Sequence, residues 1–390
     1  MPKLNTKSIA GVTVNRSDFG RMRPVYERLE KRFSTTLHLV ATGSHFDQKF
    51  GASINEVRES GLPISEIPVT SELPMLSASQ ITAQLGQLFM ELKPDFCLLL
   101  GDRHEILASA QAAMYANVPI IHVGGGYITE GAIDDRIRHA VTKLAHYHLV
   151  ANQQCADLIV QMGENPANVH VVGAPDIDML RETPVIDRVA FMGELSLKPD
   201  KDFILVTIHP ETHRIATMAE DIKAAFAVLA DRPEQILITA PASEPGADFI
   251  FEEILSLTAK RTDVVFRRNL GQCRYVNAMR YAAAIFGNSS SGIIESSYYS
   301  VPVVNIGDRQ KGRLMAENIM SASWDKNQLA YALDAVLSDE FSASLHALPS
   351  PYGDGYSADR IVNFIRKLSK DSELGKPFYI PHKTVERIEV

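Results

Sequence analysis

Short apolar, β-branched runs recur along the 390-residue chain, each closed by small or polar residues and each followed by a longer stretch of helical period. In the first half the runs are Val12 to Val14, Leu37 to Thr42, Phe96 to Asp102, Pro119 to Gly125, Tyr147 to Asn152 and Val169 to Pro175. In the second half they are Phe203 to His209, Gln235 to Pro241, Val264 to Arg267, Ala283 to Ser290 and Pro302 to Gly307. Strands that are apolar almost throughout and alternate with helices belong to parallel sheets covered on both faces. Between Asp178 and Lys201 the rhythm breaks into a charged, proline-containing stretch, which reads as a domain joint. The expected architecture is therefore α/β with two doubly wound, Rossmann-like domains, 1–185 and 186–365, followed by a C-terminal segment 366–390.

With 45% hydrophobic and 22% charged residues the chain reads as a soluble globular protein, and its net charge of −8 argues against a nucleic-acid partner, which would call for a basic face. No apolar run approaches the roughly 20 residues that cross a bilayer, and the N-terminus leads straight into a strand, so a cytoplasmic protein with no membrane partner is expected. Cys97, Cys155 and Cys273 are odd in number, far apart and without a CxxC pair, so they read as reduced packing residues.

In parallel sheets of this kind ligands bind outside the carboxyl ends of the strands. The run Gly287-Asn288-Ser289-Ser290-Ser291-Gly292 reads as strand, glycine-rich turn and helix start, where serine hydroxyls join free N–H groups in a site for phosphate; capping alone would need a single Ser or Asn. Glu295, one turn on, is placed for ribose hydroxyls or is a solvated first-turn glutamate. Arg309, Lys311 and Arg313 put three cations into one turn of an acidic chain, which points to an anion or to a solvated basic loop. After the first strand, Arg16 and a candidate N-cap Asp18 repeat the pattern more weakly.

Asp102 ends the most apolar strand of the first half, followed by Arg103, and reads as a helix N-cap, a catalytic carboxylate, or both. His122 closes the next strand before Gly124, Gly125 and Gly126, and the loop beyond carries Glu130 and Asp134 into an amphipathic helix, acids first and bases one turn later, as the helix dipole favours. His209, ending the first strand of the second half just before Pro210 at an expected helix start, is placed against an anion or is a structural histidine. No metal-ligating constellation is present and no cofactor is expected.

The blocks RxDFG, GDRxE, HxxGG with TEGAIDDxIRHAxTKLxHxH, MGExP, VGAPxID, HPET, GNSSSGIIE and VPVVNIGDRQKGR resemble, in order from Arg16 to Arg313, those of the hydrolysing UDP-N-acetylglucosamine 2-epimerases that serve sialic or legionaminic acid synthesis. The resemblance implies a GT-B-like fold, two Rossmann-like domains facing a central cleft, with the C-terminal segment returning to the first domain and a homodimer or homotetramer as the assembly. It implies that Ser289 and Ser290 hold the β-phosphate, Glu295 the ribose, and Arg16, Arg103 and Arg309 the diphosphate, with His209 beside them. Asp102 and Asp134 match the family's acid/base positions. The implied reaction releases UDP and a free manno-configured 2-acetamido sugar through a glucal. Three alternatives differ in product or need: a non-hydrolysing epimerase, a GT-B glycosyltransferase requiring an acceptor, and a catalytically weakened nucleotide-sugar-binding protein. The chain departs from the family where a polar or acidic side chain is usual and Gly124 and Tyr127 stand instead; Glu130 is the nearest substitute. It departs also at Pro241 to Gly246, where the family has an asparagine-bearing PNxDxG loop.

Overall fold

A computed structural model of the chain describes residues 6–31, 35–47, 52–69, 73–129, 133–211, 214, 216–241, 246–345, 349–370 and 375–380. They form two compact units, one made of Met1–Tyr127, Ala132–Met179 and Gly355–Val390, the other of Ile128–Gly131 and Leu180–Asp354.

The first unit carries β1 (Lys7–Thr13), β2 (Thr35–Ala41), β3 (Ile64–Glu66), β4 (Phe96–Leu100), β5 (Ile120–Val123), β6 (Tyr147–Val150) and β7 (Val169–Val171). They pair in parallel in the order β3-β2-β1-β4-β5-β6-β7. Successive side chains of a strand point to opposite faces, and both faces here are apolar. Phe96, Leu98 and Leu100 of β4 join Phe19, Met22 and Leu29 of the helix Arg16–Glu30. Cys97 and Leu99 face the other way, onto Ile81, Leu85 and Phe89 of the helix Pro74–Leu92.

The chain re-enters this unit at Gly355, upstream of the expected segment boundary at 366. The helix Ser357–Lys367 explains why: Ala358, Ile361, Val362 and Ile365 are fully buried in the same cluster as Phe19 and Leu29. At about 1.5–3 kcal/mol for each large apolar side chain, its isoleucines and valine together contribute roughly 5–9 kcal/mol. Its N-terminus is held by the buried carboxylate of Asp178, whose Oδ2 and Oδ1 accept from the N–H groups of Ser357 and Ala358 at 2.8 Å each. The VGAPxID block thus anchors the returning helix.

The second unit carries β8 (Phe203–Thr207), β9 (Gln235–Thr239), β10 (Val264–Arg267), β11 (Ala284–Gly287), β12 (Val303–Ile306) and β13 (Ile319–Ala322), all parallel, in the order β10-β9-β8-β11-β12-β13. Ile204 and Val206 bury on one face, Phe203 and Leu205 on the other. In each sheet the strand order reverses once, at β1/β4 and at β8/β11, and those switch points are where an open parallel sheet leaves a crevice for a ligand.

Two strands lie outside the eleven expected runs, β3 and β13, each at the edge of its sheet. Two expected helix starts also move. The helix after β8 begins at Met218 and not at Pro210, because Glu211 is drawn sideways to the loop after β12. The serine run after β11 forms a single 3-10 turn, Ser290–Gly292, before a four-residue helix, Ser296–Tyr299.

Candidate functional site

At the β1/β4 switch point of the first unit, Asn15 and not Asp18 caps the helix Arg16–Glu30, its Oδ1 accepting from the Asp18 N–H at 2.9 Å. That turns the Asp18 carboxylate inward, where Asn15 Nδ2 at 2.6 Å and Arg21 Nη2 at 2.7 Å donate to it. Burial outweighs the nearby arginines and raises Asp18 to about 6. Arg16 lies on the exposed side, its Nε 2.9 Å from Glu56.

Asp102 follows β4 but caps no helix, since Arg103 occupies the cap position of His104–Tyr115. Its carboxylate is gripped instead by Arg138 of the helix Ile133–Leu144, whose Nε donates to Oδ2 at 3.0 Å and whose Nη2 donates to the same oxygen. The Arg138 guanidinium, only 1% exposed, also donates to the Tyr127 carbonyl at 2.8 Å and to Asp135 at 3.2 Å. It therefore joins the strand end, the glycine loop and the helix entrance. Asp134 stands at that entrance, and partial removal from water, then the neighbouring Asp102 charge, raise its carboxyl above the ordinary value. Arg103 closes on the buried Glu105, Nε to Oε2 at 3.2 Å, and on Ser44 Oγ at 3.3 Å. Burial works against the Arg103 charge, but Glu105 more than offsets it and raises its pKa.

Asp18, Asp102, Arg103, Glu105 and Asp134 thus form one electrostatic neighbourhood, in which Arg103 can offset negative charge and the Asp18 and Asp134 carboxyls are shifted upward. Beneath it His122 is fully buried, held near 4 chiefly by burial, and its Nε2 lies 2.9 Å from the Gly101 carbonyl. As a neutral ring it donates there and braces the turn that bears Asp102. The glycine run has its own steric cause: a Cβ on Gly126 would fall 2.4 Å from the Cys155 carbonyl oxygen. Glu130 lies outside the described residues.

At the β8/β11 switch point of the second unit, Asn288 is fully buried and its side chain mimics a strand neighbour. Oδ1 accepts from His209 N–H at 2.7 Å and Nδ2 donates to the His209 carbonyl at 2.9 Å. Burial, then the positive Arg309, lower the His209 ring to about 3, so at neutral pH it offers a hydrogen bond and not a charge. Arg309 donates to the Asn288 carbonyl at 3.4 Å and Gln310 to the same oxygen at 2.9 Å.

In the serine turn that follows, Ser291 Oγ donates to Ser289 Oγ at 3.0 Å and lies 2.6 Å from the Tyr275 hydroxyl. Burial raises the Tyr275 pKa, with Glu295 adding to it. The second unit therefore gathers His209, Ser289, Ser290, Glu295 and Arg309 at three successive strand ends. Hydroxyls, a neutral imidazole and one guanidinium at a switch point suit an anionic, hydroxyl-bearing ligand.

Three residues carry this geometry without standing out in the sequence: Arg138, Asn288 and Tyr275. Arg138 and Asn288 sit within the blocks given above and Tyr275 in none of them, and only the tertiary pairing reveals what each does.

Residues 27–366 match the protein family described as UDP-N-acetylglucosamine 2-epimerase. A Campylobacter jejuni protein named GDP/UDP-N,N'-diacetylbacillosamine 2-epimerase (hydrolyzing) is 29% identical, covering 96% of this chain and 99% of that protein. A Legionella pneumophila protein named UDP-N,N'-diacetylbacillosamine 2-epimerase (hydrolyzing) is also 29% identical, covering 94% and 98%. Among solved structures, the S. aureus MnaA–UDP co-structure aligns with a TM-score of 0.80 at 21% identity, covering 96% of this chain and all of that one. That likeness carries the fold: two Rossmann-like domains of GT-B type.

Proposed function

The chain belongs to the UDP-N-acetylglucosamine 2-epimerase family, and from that premise we propose that it is the hydrolysing kind of UDP-sugar 2-epimerase. In this reading it converts a UDP-linked 2-acetamido sugar, of the 2,4-diacetamido-2,4,6-trideoxy type or UDP-N-acetylglucosamine itself, into UDP and the free manno-configured sugar. The observation that carries the reading is similarity over nearly the whole chain to two relatives that bear the hydrolysing name. The acids and arginines gathered after β4 are the chemistry such a reaction calls for.

One carboxylate of the pair Asp102 and Asp134 takes the C2 proton. The C2–H electrons form the C1=C2 bond, and the C1–O electrons leave with UDP. Water then gives its oxygen to C1 of the glucal while a proton returns to C2 from the opposite face. Two acid/base positions are needed because the two transfers occur on opposite faces. Glu130 is assigned as the substitute for the carboxylate absent at Gly124 and Tyr127. Arg138 keeps Asp102 aimed. Charge developing on the departing diphosphate meets Arg309, Arg16 and Arg103, the serine turn at 289–290 and a hydrogen bond from neutral His209; Glu295 takes the ribose.

That no disulfide joins Cys97, Cys155 and Cys273 supports a reducing, cytoplasmic setting. Exposed Met75, Leu76 and Met90 on the helix Pro74–Leu92 support a homo-oligomer.

The test is turnover of both UDP-sugars in deuterated water. UDP and a free manno sugar with one deuterium at C2 are expected. A UDP-linked manno product would assign the non-hydrolysing reaction, and a free gluco sugar without deuterium would reduce the activity to simple hydrolysis.

A further inference from the structure

The loops that follow β8, β11 and β12 in the second unit are stitched by side chains that the proposed reaction does not use. Asn288 ties the first two together through the His209 backbone. The tie to the third is Glu211, two residues beyond His209 and 2% exposed. Its Oε1 accepts from two successive backbone N–H groups, Asp308 at 3.0 Å and Arg309 at 3.1 Å.

A buried carboxylate is costly unless its oxygens are well bonded, so its place beneath this loop calls for a reason. The loop turns at Gly307, at φ 68°, and a Cβ there would fall 2.4 Å from Glu211 Oε1. Glycine at that turn is therefore required by the carboxylate's approach. The consequence falls on Arg309. Its backbone N–H is fixed by Glu211, and its guanidinium reaches the Asn288 carbonyl at 3.4 Å, next to Ser289. Gln310 Nε2 meets the same carbonyl at 2.9 Å. The arginine is thus held at both ends by residues that are themselves buried.

We infer that Glu211 is a positioning residue for the anion site: it sets the backbone from which Arg309 presents its charge to the diphosphate. Glu211 itself touches no ligand. The inference rests on the assignment of UDP to this unit, and it gives the glutamate of the HPET block a task separate from that of the histidine.

A double-mutant cycle on the full chain, read as UDP affinity by calorimetry, tests it. Arg309→Ala weakens UDP binding about tenfold or more, the scale of one charge-assisted hydrogen bond. Glu211→Ala weakens it by a similar factor, yet in the Arg309→Ala background it adds less than about twofold, because its effect runs through Arg309. Glu211→Gln, whose amide oxygen can still accept both N–H groups, stays within about threefold of the parent. If Glu211→Ala does not fold, the cycle is run with Glu211→Asp, which keeps the charge and draws the carboxylate back by one methylene.

Factors that multiply in the double variant would overturn the positioning role while leaving UDP assigned to the unit. Failure of the unaltered protein to bind UDP would overturn the assignment itself. Unchanged affinity in Arg309→Ala would remove Arg309 from the anion site, and with it the task given to Glu211.

Discussion

Arg138 meets Asp102 across 36 residues of sequence, Nε to Oδ2 at 3.0 Å, with the arginine fully buried and the carboxylate 31% exposed. One partner is thus fixed by the core while the other keeps an open face. Breaking a buried ion pair by removing one partner costs about 3–5 kcal/mol, and the partial exposure of Asp102 places this pair at the lower end. Arg138→Met, similar in volume but uncharged, should lower stability in urea unfolding by about 3 kcal/mol. In the folded fraction, turnover should fall about 10²-fold while UDP affinity changes little, because the lost interaction serves the chemical step.

Asp18 gives the stability a pH slope of known sign. Its folded value of about 6 lies above the ordinary 3.8, so the unfolded chain releases this proton first as pH rises. The folded state is favoured by this group below about pH 4, and that advantage is lost between about pH 4 and 6, by about 3 kcal/mol in all. Asp18→Asn should therefore be relatively more stable at pH 7 than at pH 4.5 when each is compared with the parent by urea titration. A constant difference across that range would place the proton elsewhere.

Glu164 has the opposite sign. Burial alone would raise it, but hydrogen bonds from His148, Lys143 and Lys376 bring it to about 2. The stabilisation is present above about pH 4.5 and is lost as pH falls towards 2, again by about 3 kcal/mol. Lys376 also donates to the carbonyls of Thr142 and Lys143, at 3.0 and 2.7 Å, at the end of the helix that bears Arg138. Glu164→Gln should thus lower the melting temperature at pH 7, by less at pH 3, and expose the Phe378–Tyr379 bond, two residues beyond Lys376, to chymotrypsin at neutral pH. Unchanged cleavage near Lys376 would show that the C-terminal segment is held without this cluster.

How far the sequence could be read depended on where each residue's partners lie. Strands buried on both faces, such as Phe96–Leu100 with every side chain buried, announce themselves as apolar runs. Edge strands do so less consistently: Val169–Val171 and Val264–Arg267 fall in expected runs, but Ile64–Glu66 is only three residues long, with its last residue exposed and a neighbour on one side. Strand-end residues such as Asp102 and Ser289 were legible because parallel sheets put ligands there. Arg138 was not, since an arginine one turn into an amphipathic helix looks solvated until the Tyr127 carbonyl and Asp102 are seen to close on it. Pro210 suggested a helix start on local chemistry, and the long-range pull of Glu211 towards Asp308 and Arg309 overrode it.

The order of protons in the serine turn decides what the turn presents to a phosphate. A hydroxyl has one proton and can serve as donor or acceptor, so three adjacent serines do not by themselves present donors to a phosphate. Tyr275 bears on that choice: its hydroxyl lies 2.6 Å from Ser291 Oγ, and Ser291 in turn donates to Ser289 Oγ at 3.0 Å. With Ser289 accepting from Ser291, its own proton turns either to the Tyr275 phenol or outward to an anion. Tyr275→Phe removes the first link without emptying the space the ring fills. UDP affinity should fall about three- to tenfold, the scale of one neutral hydrogen bond at roughly 1 kcal/mol. Ser289→Ala should cost at least as much, and the double variant no more than Ser289→Ala alone, because Tyr275 acts on the ligand only through that hydroxyl. Independent losses would mean that the phenol reaches the nucleotide directly.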